Sequence, residues 1–188
     1  MPSVALEKWN TERSRTFEDL EAAHRAVTGA RRGRRFATLQ VNHAYTVLLA
    51  AQFQAFCRDL HTESVDAIVL TVPQGVFNSV KLALLNERRL DRGNVSPGNL
   101  GADFGRFDFV FWNAVYASDP RNTARRESLE RLNTWRNAIA HQDFANLGSE
   151  TIQLAQVRQW RVTLNGLAEQ FDAVMFARLS VMTGANPW

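Results

Sequence analysis

Apolar residues recur every three or four positions over most of the chain, the spacing of one helix face rather than the alternation of a strand. Over 36–60, Leu39, Thr46, Ala50, Phe53, Cys57 and Leu60 share one stripe, flanked by Val47, Leu49 and Phe56. This predicts a long buried helix. Upstream, Phe17, Leu20, His24 and Val27 predict a shorter amphipathic helix over about 17–27. Thr62-Glu63-Ser64 offers a fresh helix start, followed by an apolar run from Val65 to Val72 and then Pro73. The β-branched residues of that run would also suit a strand, but no second strand exists to pair with it, so helix is expected. Helical spacing resumes through Val76, Val80, Leu84 and either Phe77 or Leu85, predicting helix over 76–90.

Residues 91–105, with Gly93, Asn94, Ser96, Pro97, Gly98, Asn99 and Gly101, are expected to be an irregular connector. Gly98-Asn99-Leu100-Gly101 has neither a Lys-Ser/Thr pair after it nor a strand before it, so it is not read as a phosphate loop. The aromatic run that follows could stack on unpaired bases. Its members Phe104, Phe107, Phe111 and Val115 are spaced by three and four, however, which favours a buried helix face. Asp119-Pro120 then supplies an N-cap followed by a proline at the first helical position. The last segment has the most regular stripe: Val157, Trp160, Leu164, Leu167, Phe171, Val174 and Val181, with a skipped step at Arg178. At about 1.5 Å per residue a helix of this length spans roughly 37 Å. The fold class expected is all-α, an antiparallel helical bundle with a long C-terminal helix.

Composition adds bounds. The chain has 188 residues, 45% hydrophobic and 22% charged, the balance of one ordinary globular domain. We read 1–188 as a single helical domain, with 1–35 an N-terminal helix and basic joint and 36–188 the bundle. Cys57 is the only cysteine, and His24, His43, His61 and His141 show no metal-ligand spacing, so neither a disulfide, a metal nor a cofactor is expected. The N-terminus does not resemble a signal peptide and no apolar run is of membrane-spanning length, which points to the cytoplasm and to no membrane partner. Net charge is +3, yet lysine occurs only at Lys8 and Lys81. The arginine bias suits a phosphate partner, and codon usage explains it equally well. Arg31, Arg32, Arg34 and Arg35 around Gly33 could lie on nucleic-acid backbone, the alternative being a solvated joint.

Chemistry concentrates in Arg136-Asn137-Ala138-Ile139-Ala140-His141. A permanent cation, an amide and a titratable imidazole stand within one and a half helical turns, the side chains needed to hold a phosphodiester and move a proton. A helix over 128–140 with Leu129, Leu132, Trp135 and Ile139 as its apolar residues puts Arg136 on the packing stripe, where it needs a carboxylate, carbonyl or phosphate. Asn137 and His141 share a different face. His141 is expected at or just beyond a helix end.

Arg136-Asn137-x-x-x-His141 resembles the R-φ-x-x-x-H signature of the HEPN superfamily, in which φ is usually Asn, Asp or His. The resemblance covers about residues 36–188. Residues 48–60 are similar to an early helix of its RiboL-PSP-like branch. It implies a metal-independent endoribonuclease acting on RNA, often the toxin of a toxin-antitoxin or anti-phage module. A homodimer with a composite active site is also implied, with an antitoxin or regulatory protein as a further partner. The 2′-hydroxyl would attack the adjacent phosphorus, leaving a 2′,3′-cyclic phosphate. Arg136 would stabilise the developing charge, Asn137 would orient the phosphate or imidazole, and His141 and its mate in the second subunit would transfer protons. Arg125, Arg126 and Arg131 would guide the substrate. Where some members carry a tyrosine two residues after the histidine, this chain has Asp143. An acidic residue common in the early helix is replaced by Gln54, unless Asp59 serves. Two other readings stand beside this one: a catalytically silent module that binds RNA, nucleotide or a partner protein, and a structural role in which Arg136 pairs with a buried carboxylate and His141 caps the helix.

Overall fold

Leu49, Phe53, Phe56 and Leu60 are completely buried along α3 (Arg35–Val69), the helix against which the rest of the chain packs. The computed structural model describes residues 1–28, 35–147 and 151–188; most of the basic joint at 30–35 lies outside them. The break expected at Thr62-Glu63-Ser64 does not occur. Thr62 Oγ1 donates to the Arg58 carbonyl and Ser64 Oγ to that of Leu60, each four residues back. Both hydroxyls therefore bond within α3 instead of capping a new helix. The Glu63 carboxylate accepts from the amides of Val4 and Ala5 at 2.9 and 3.0 Å. Together with Ser3, whose Oγ accepts from Leu6 N, it starts α1 (Val4–Lys8), an element that no pattern in the sequence had suggested. A π-helical turn, Trp9–Arg13, leads into α2 (Ser14–Thr28).

The helix predicted over 76–90 is split. It comprises α4 (Phe77–Leu85) and the short α5 (Arg89–Arg92), separated by Glu87 at φ 55°. The Arg106 guanidinium donates to the carbonyls of Leu84, Asn86 and Glu87, satisfying the end of α4. The buried Asp103 carboxylate accepts from the amides of Arg89 and Leu90 and so begins α5. The predicted connector at 91–105 contains α6 (Pro97–Phe104), with Ser96 Oγ accepting from Asn99 N and proline in the first turn. Gly101 serves packing rather than a turn, since a Cβ there would lie 3.2 Å from Trp112 Cδ1. Phe104, Phe107, Phe111 and Val115 are all buried as expected, but they do not share one helix. A 3₁₀ turn at Gly105–Phe107 and a left-handed Asp108 separate α6 from α7 (Phe111–Ser118). Arg178 donates to the carbonyls of Phe107 and Asp108 and holds that turn. Several arginines are thus committed to backbone carbonyls, a use of the residue that the composition did not suggest.

The bundle is completed by α8 (Asn122–His141) and α9 (Leu154–Thr183). These two run antiparallel: Arg125 lies against Gly166, Ser128 beside Thr163 and Trp135 near Gln156. Along α9 the stripe from Val157 to Val174 is buried, but Val181 is 78% exposed. Leu179 takes its place in the core, because the stripe shifts once Arg178 has turned toward residues 107 and 108. No helix among the described residues is long and apolar enough to cross a membrane.

His61 is the core's main polar intrusion. It is fully buried between the rings of Phe104 and Phe107, its Nε2 donating to the Asp103 carbonyl while Nδ1 has no partner. Burial, helped by Arg88, pushes its pKa down from 6.5 to about 4. The folded protein therefore binds this proton less readily than the unfolded chain. Stability from this group is complete above the unfolded value and is lost as pH falls from about 6.5 to about 4. Urea unfolding should show about 2 kcal/mol less stability at pH 5 than at pH 7. His61→Gln, which keeps a donor to the carbonyl, should largely remove that dependence; an equal slope in the variant would assign the proton elsewhere.

Candidate functional site

Local sequence explains both ends of α8. At the start, the Asp119 carboxylate accepts from the Arg121 amide at 2.9 Å, and the Asp119 carbonyl accepts from Asn122 N at 3.0 Å. The Arg121 guanidinium holds the Asp119 carboxyl well below the usual carboxylate range, so a negative charge sits at the helix N-terminus. The helix therefore begins at Asn122, six residues before the first residue of the predicted span, and Asp119 acts just ahead of it. At the other end, Gln142 takes a left-handed conformation at φ 55°. Asp143 N donates to the Ala138 carbonyl at 3.0 Å and Gln142 N to that of Ile139 at 3.4 Å. This pair of bonds is a Schellman closure with glutamine where glycine is usual, and Gln142 Nε2 reinforces it by donating to Ile139 O at 2.7 Å. His141 is thereby fixed as the last helical residue, with its side chain exposed.

Arg136 and Asn137 are half-buried and touch, Arg136 Nη1 donating to Asn137 Oδ1 at 3.1 Å. The expectation that Arg136 lies on the packing stripe is corrected. Over the last turns the buried residues are Leu132, Trp135, Ala138 and Ile139, whose mean direction is roughly 90° from Arg136 at about 100° per residue. The stripe has rotated away from Leu129, the residue that made Arg136 look buried. Among the described residues, Arg136 forms no ion pair, so the structural reading in which it meets a buried carboxylate does not describe this protein. Arg136 and Asn137 are joined at the end of α8, with the exposed His141 one turn beyond Asn137.

The three arginines expected to guide substrate are placed differently. Arg125 donates to Asp119 Oδ2 at 2.9 Å and Asn122 Oδ1 at 2.7 Å. Arg126 lies 5.5 Å from the Trp112 ring centroid, and its buried Nε has no partner. Both stand about 15 Å or more from Arg136 along the helix axis. Arg131 is exposed at the edge of a groove of about 660 Å³ between α8 and α9, together with Glu127, Ser128, Thr134, Gln156 and Trp160. Gln54 donates to the carbonyls of Leu90 and Gly93 at 2.6 and 2.7 Å. Asp59 is bound to Arg13 at 2.6 Å and lies 3.9 Å from Lys8, so it serves the N-terminal elements rather than the motif.

Two residues near the motif had no visible signal. Asn133, buried, donates to the carbonyls of Val95 and Leu129 and ties α8 to the start of α6. Its position four residues before Asn137 was the only available hint. His43, on α3, stacks on Phe144 with centroids 5.7 Å apart and planes at 21°. Nothing in a single sequence links two rings a hundred positions apart. Among the described residues, no group of three or more His, Cys, Asp or Glu side chains is placed to hold a metal ion. The chain matches no protein-family model, no curated protein and no solved structure.

Proposed function

We propose that this chain is a metal-independent endoribonuclease that cleaves RNA by attack of the 2′-hydroxyl on the adjacent phosphorus, leaving a 2′,3′-cyclic phosphate and a 5′-hydroxyl. The observation that carries the reading is the state of Arg136. Its guanidinium is held by a neutral amide oxygen, not by a carboxylate, so its full charge is available to a phosphate. His141, exposed one turn beyond Asn137, would exchange a proton with an oxygen of that phosphate. Asn137 sets the direction of the guanidinium as well as offering its own amide N–H groups. Arg125 is not assigned to guidance of the strand, because Asp119 already neutralises it.

The resemblance to HEPN nucleases supports the same chemistry, together with a cytoplasmic homodimer acting as the toxin of a toxin-antitoxin or anti-phage system. A DNA oligonucleotide carrying a single ribonucleotide tests the reaction class. Cleavage should occur only on the 3′ side of that ribonucleotide, and Arg136→Ala should lower kcat by about a hundredfold or more with little change in melting temperature. Cleavage of the all-DNA strand at a comparable rate, or a variant that unfolds but keeps its specific activity when cold, would contradict the assignment. Sedimentation at micromolar concentration tests the dimer; a strict monomer that cleaves RNA would remove the two-subunit site.

A further inference from the structure

Cleavage by 2′-hydroxyl attack needs one group to accept the nucleophile's proton and another to protonate the leaving oxygen, and His141 is one group. The geometry of α3 against α8 indicates where the second lies. Two sets of contacts give the relative direction of these helices. His43 stacks on Phe144, just past the end of α8. Farther along α3 and nearer the start of α8, Gln54 binds the carbonyls of Leu90 on α5 and Gly93 just after it, and Asn133 binds that of Val95, just before α6. The helices therefore run antiparallel, and the end of α8 that carries His141, three residues before Phe144, lies beside the part of α3 that carries His43. Two histidines brought to one end of a helix pair in this way can flank a single phosphodiester. Ala51 on α3 and Ala140 on α8 are exposed, so small residues leave this part of both helices open to solvent.

We propose that His43 is the second proton-transfer residue of the Arg136–Asn137–His141 site, supplied by the same chain. This rests on the nuclease reading above and specifies it further. His43 takes the proton from the 2′-hydroxyl as the 2′-oxygen bonds to phosphorus. The bond from phosphorus to the 5′-oxygen breaks, and protonated His141 delivers a proton to that oxygen. The products are the cyclic phosphate and a free 5′-hydroxyl, with one proton gained by His43 and one lost by His141.

Three observations support the assignment of roles. The Phe144 ring holds the His43 imidazole in a fixed plane. The neighbouring Asn42, buried, anchors this end of α3 by donating to the Ile152 carbonyl at 3.0 Å. Burial lowers the His43 pKa, which keeps the ring neutral and able to accept a proton near pH 7. Among the described residues, the charged and titratable groups on the neighbouring elements include Arg136 and His141 on α8, Asp143 beyond its end, and His24, Arg25 and Glu21 on α2, Glu21 being bound to Tyr45 and Arg158. The approach to α9, residues 151–154, carries no charge.

The test compares His43→Phe, which preserves a ring against Phe144, and His43→Gln with wild type. The substrates are a short single-stranded RNA and a uridine 3′-(4-nitrophenyl) phosphate, whose leaving group needs no protonation. On RNA, both His43 variants should lose about a hundredfold or more in kcat with KM within about threefold, and the acid limb of the kcat profile against pH should disappear. On the nitrophenyl ester, His141→Ala should recover most of its activity while the His43 variants stay slow. Wild-type kcat and an unchanged pH profile in His43→Phe would overturn the assignment and leave the second group to another subunit. A wild type that cleaves neither substrate overturns the nuclease reading itself.

Discussion

His141→Ala is expected to lower RNA cleavage by about a hundred- to ten-thousandfold without moving the melting temperature by more than about 2 °C. The two effects separate because of how α8 ends. The last carbonyls of the helix are closed by the amides of Gln142 and Asp143 and by the Gln142 side chain, not by the imidazole. The ring itself is exposed, so alanine leaves no cavity and no unpaired buried group. If the variant melted well below wild type, the imidazole would be a helix cap and its loss of activity would say nothing about proton transfer. Thermal unfolding followed by circular dichroism, beside single-turnover cleavage, separates these outcomes.

The largest stability change is expected at the opposite end of the chain. Trp9→Ala should cost about 3–5 kcal/mol, seen as a fall in urea midpoint and, for a chain of this length, as a drop of roughly 6–20 °C in melting temperature. Trp9 is 1% exposed and is surrounded by Phe17, Phe53 and Phe56 at centroid distances of 5.7, 5.6 and 5.8 Å. Its Nε1 donates to Asn165 Oδ1 at 3.0 Å, so truncation removes a large apolar contact and also strips a partner from α9. A cost below about 1 kcal/mol would mean that the N-terminal helices are an appendage rather than part of the core.

That importance was not apparent from the sequence. Leu6, Trp9, Arg13 and Phe17 do fall at spacings of three and four, but Arg13 interrupts the apolar pattern. Its guanidinium is nevertheless buried, bound to Gln52 and Asp59 on α3. A polar residue that reaches the core through a tertiary ion pair cannot be recognised from periodicity. The long helices α3 and α9 were legible over most of their length because packing sets most of their stripes. Segment 91–105 was misread for the converse reason. Gly98, Gly101 and Pro97 look like loop residues, yet proline opens α6 and Gly101 makes room for Trp112.

Much the same holds for the site. That Arg136, Asn137 and His141 lie together could be read from their spacing, since all three are within the last turns of one helix. The face on which Arg136 lies could not, because the stripe rotates between Leu129 and Ile139 as α8 passes from one set of neighbours to another. His43 was out of reach altogether, because it joins the site only through the antiparallel packing of α3 and α8.

Metal-free cleavage of RNA is the most direct test of the nuclease assignment. Purified wild-type protein in excess EDTA, incubated with a single-stranded RNA oligonucleotide, should produce fragments whose 3′ ends carry 2′,3′-cyclic phosphate by mass spectrometry, with His141→Ala as the blank. Intact RNA under those conditions, or fragments ending in 3′-hydroxyl groups, would contradict it.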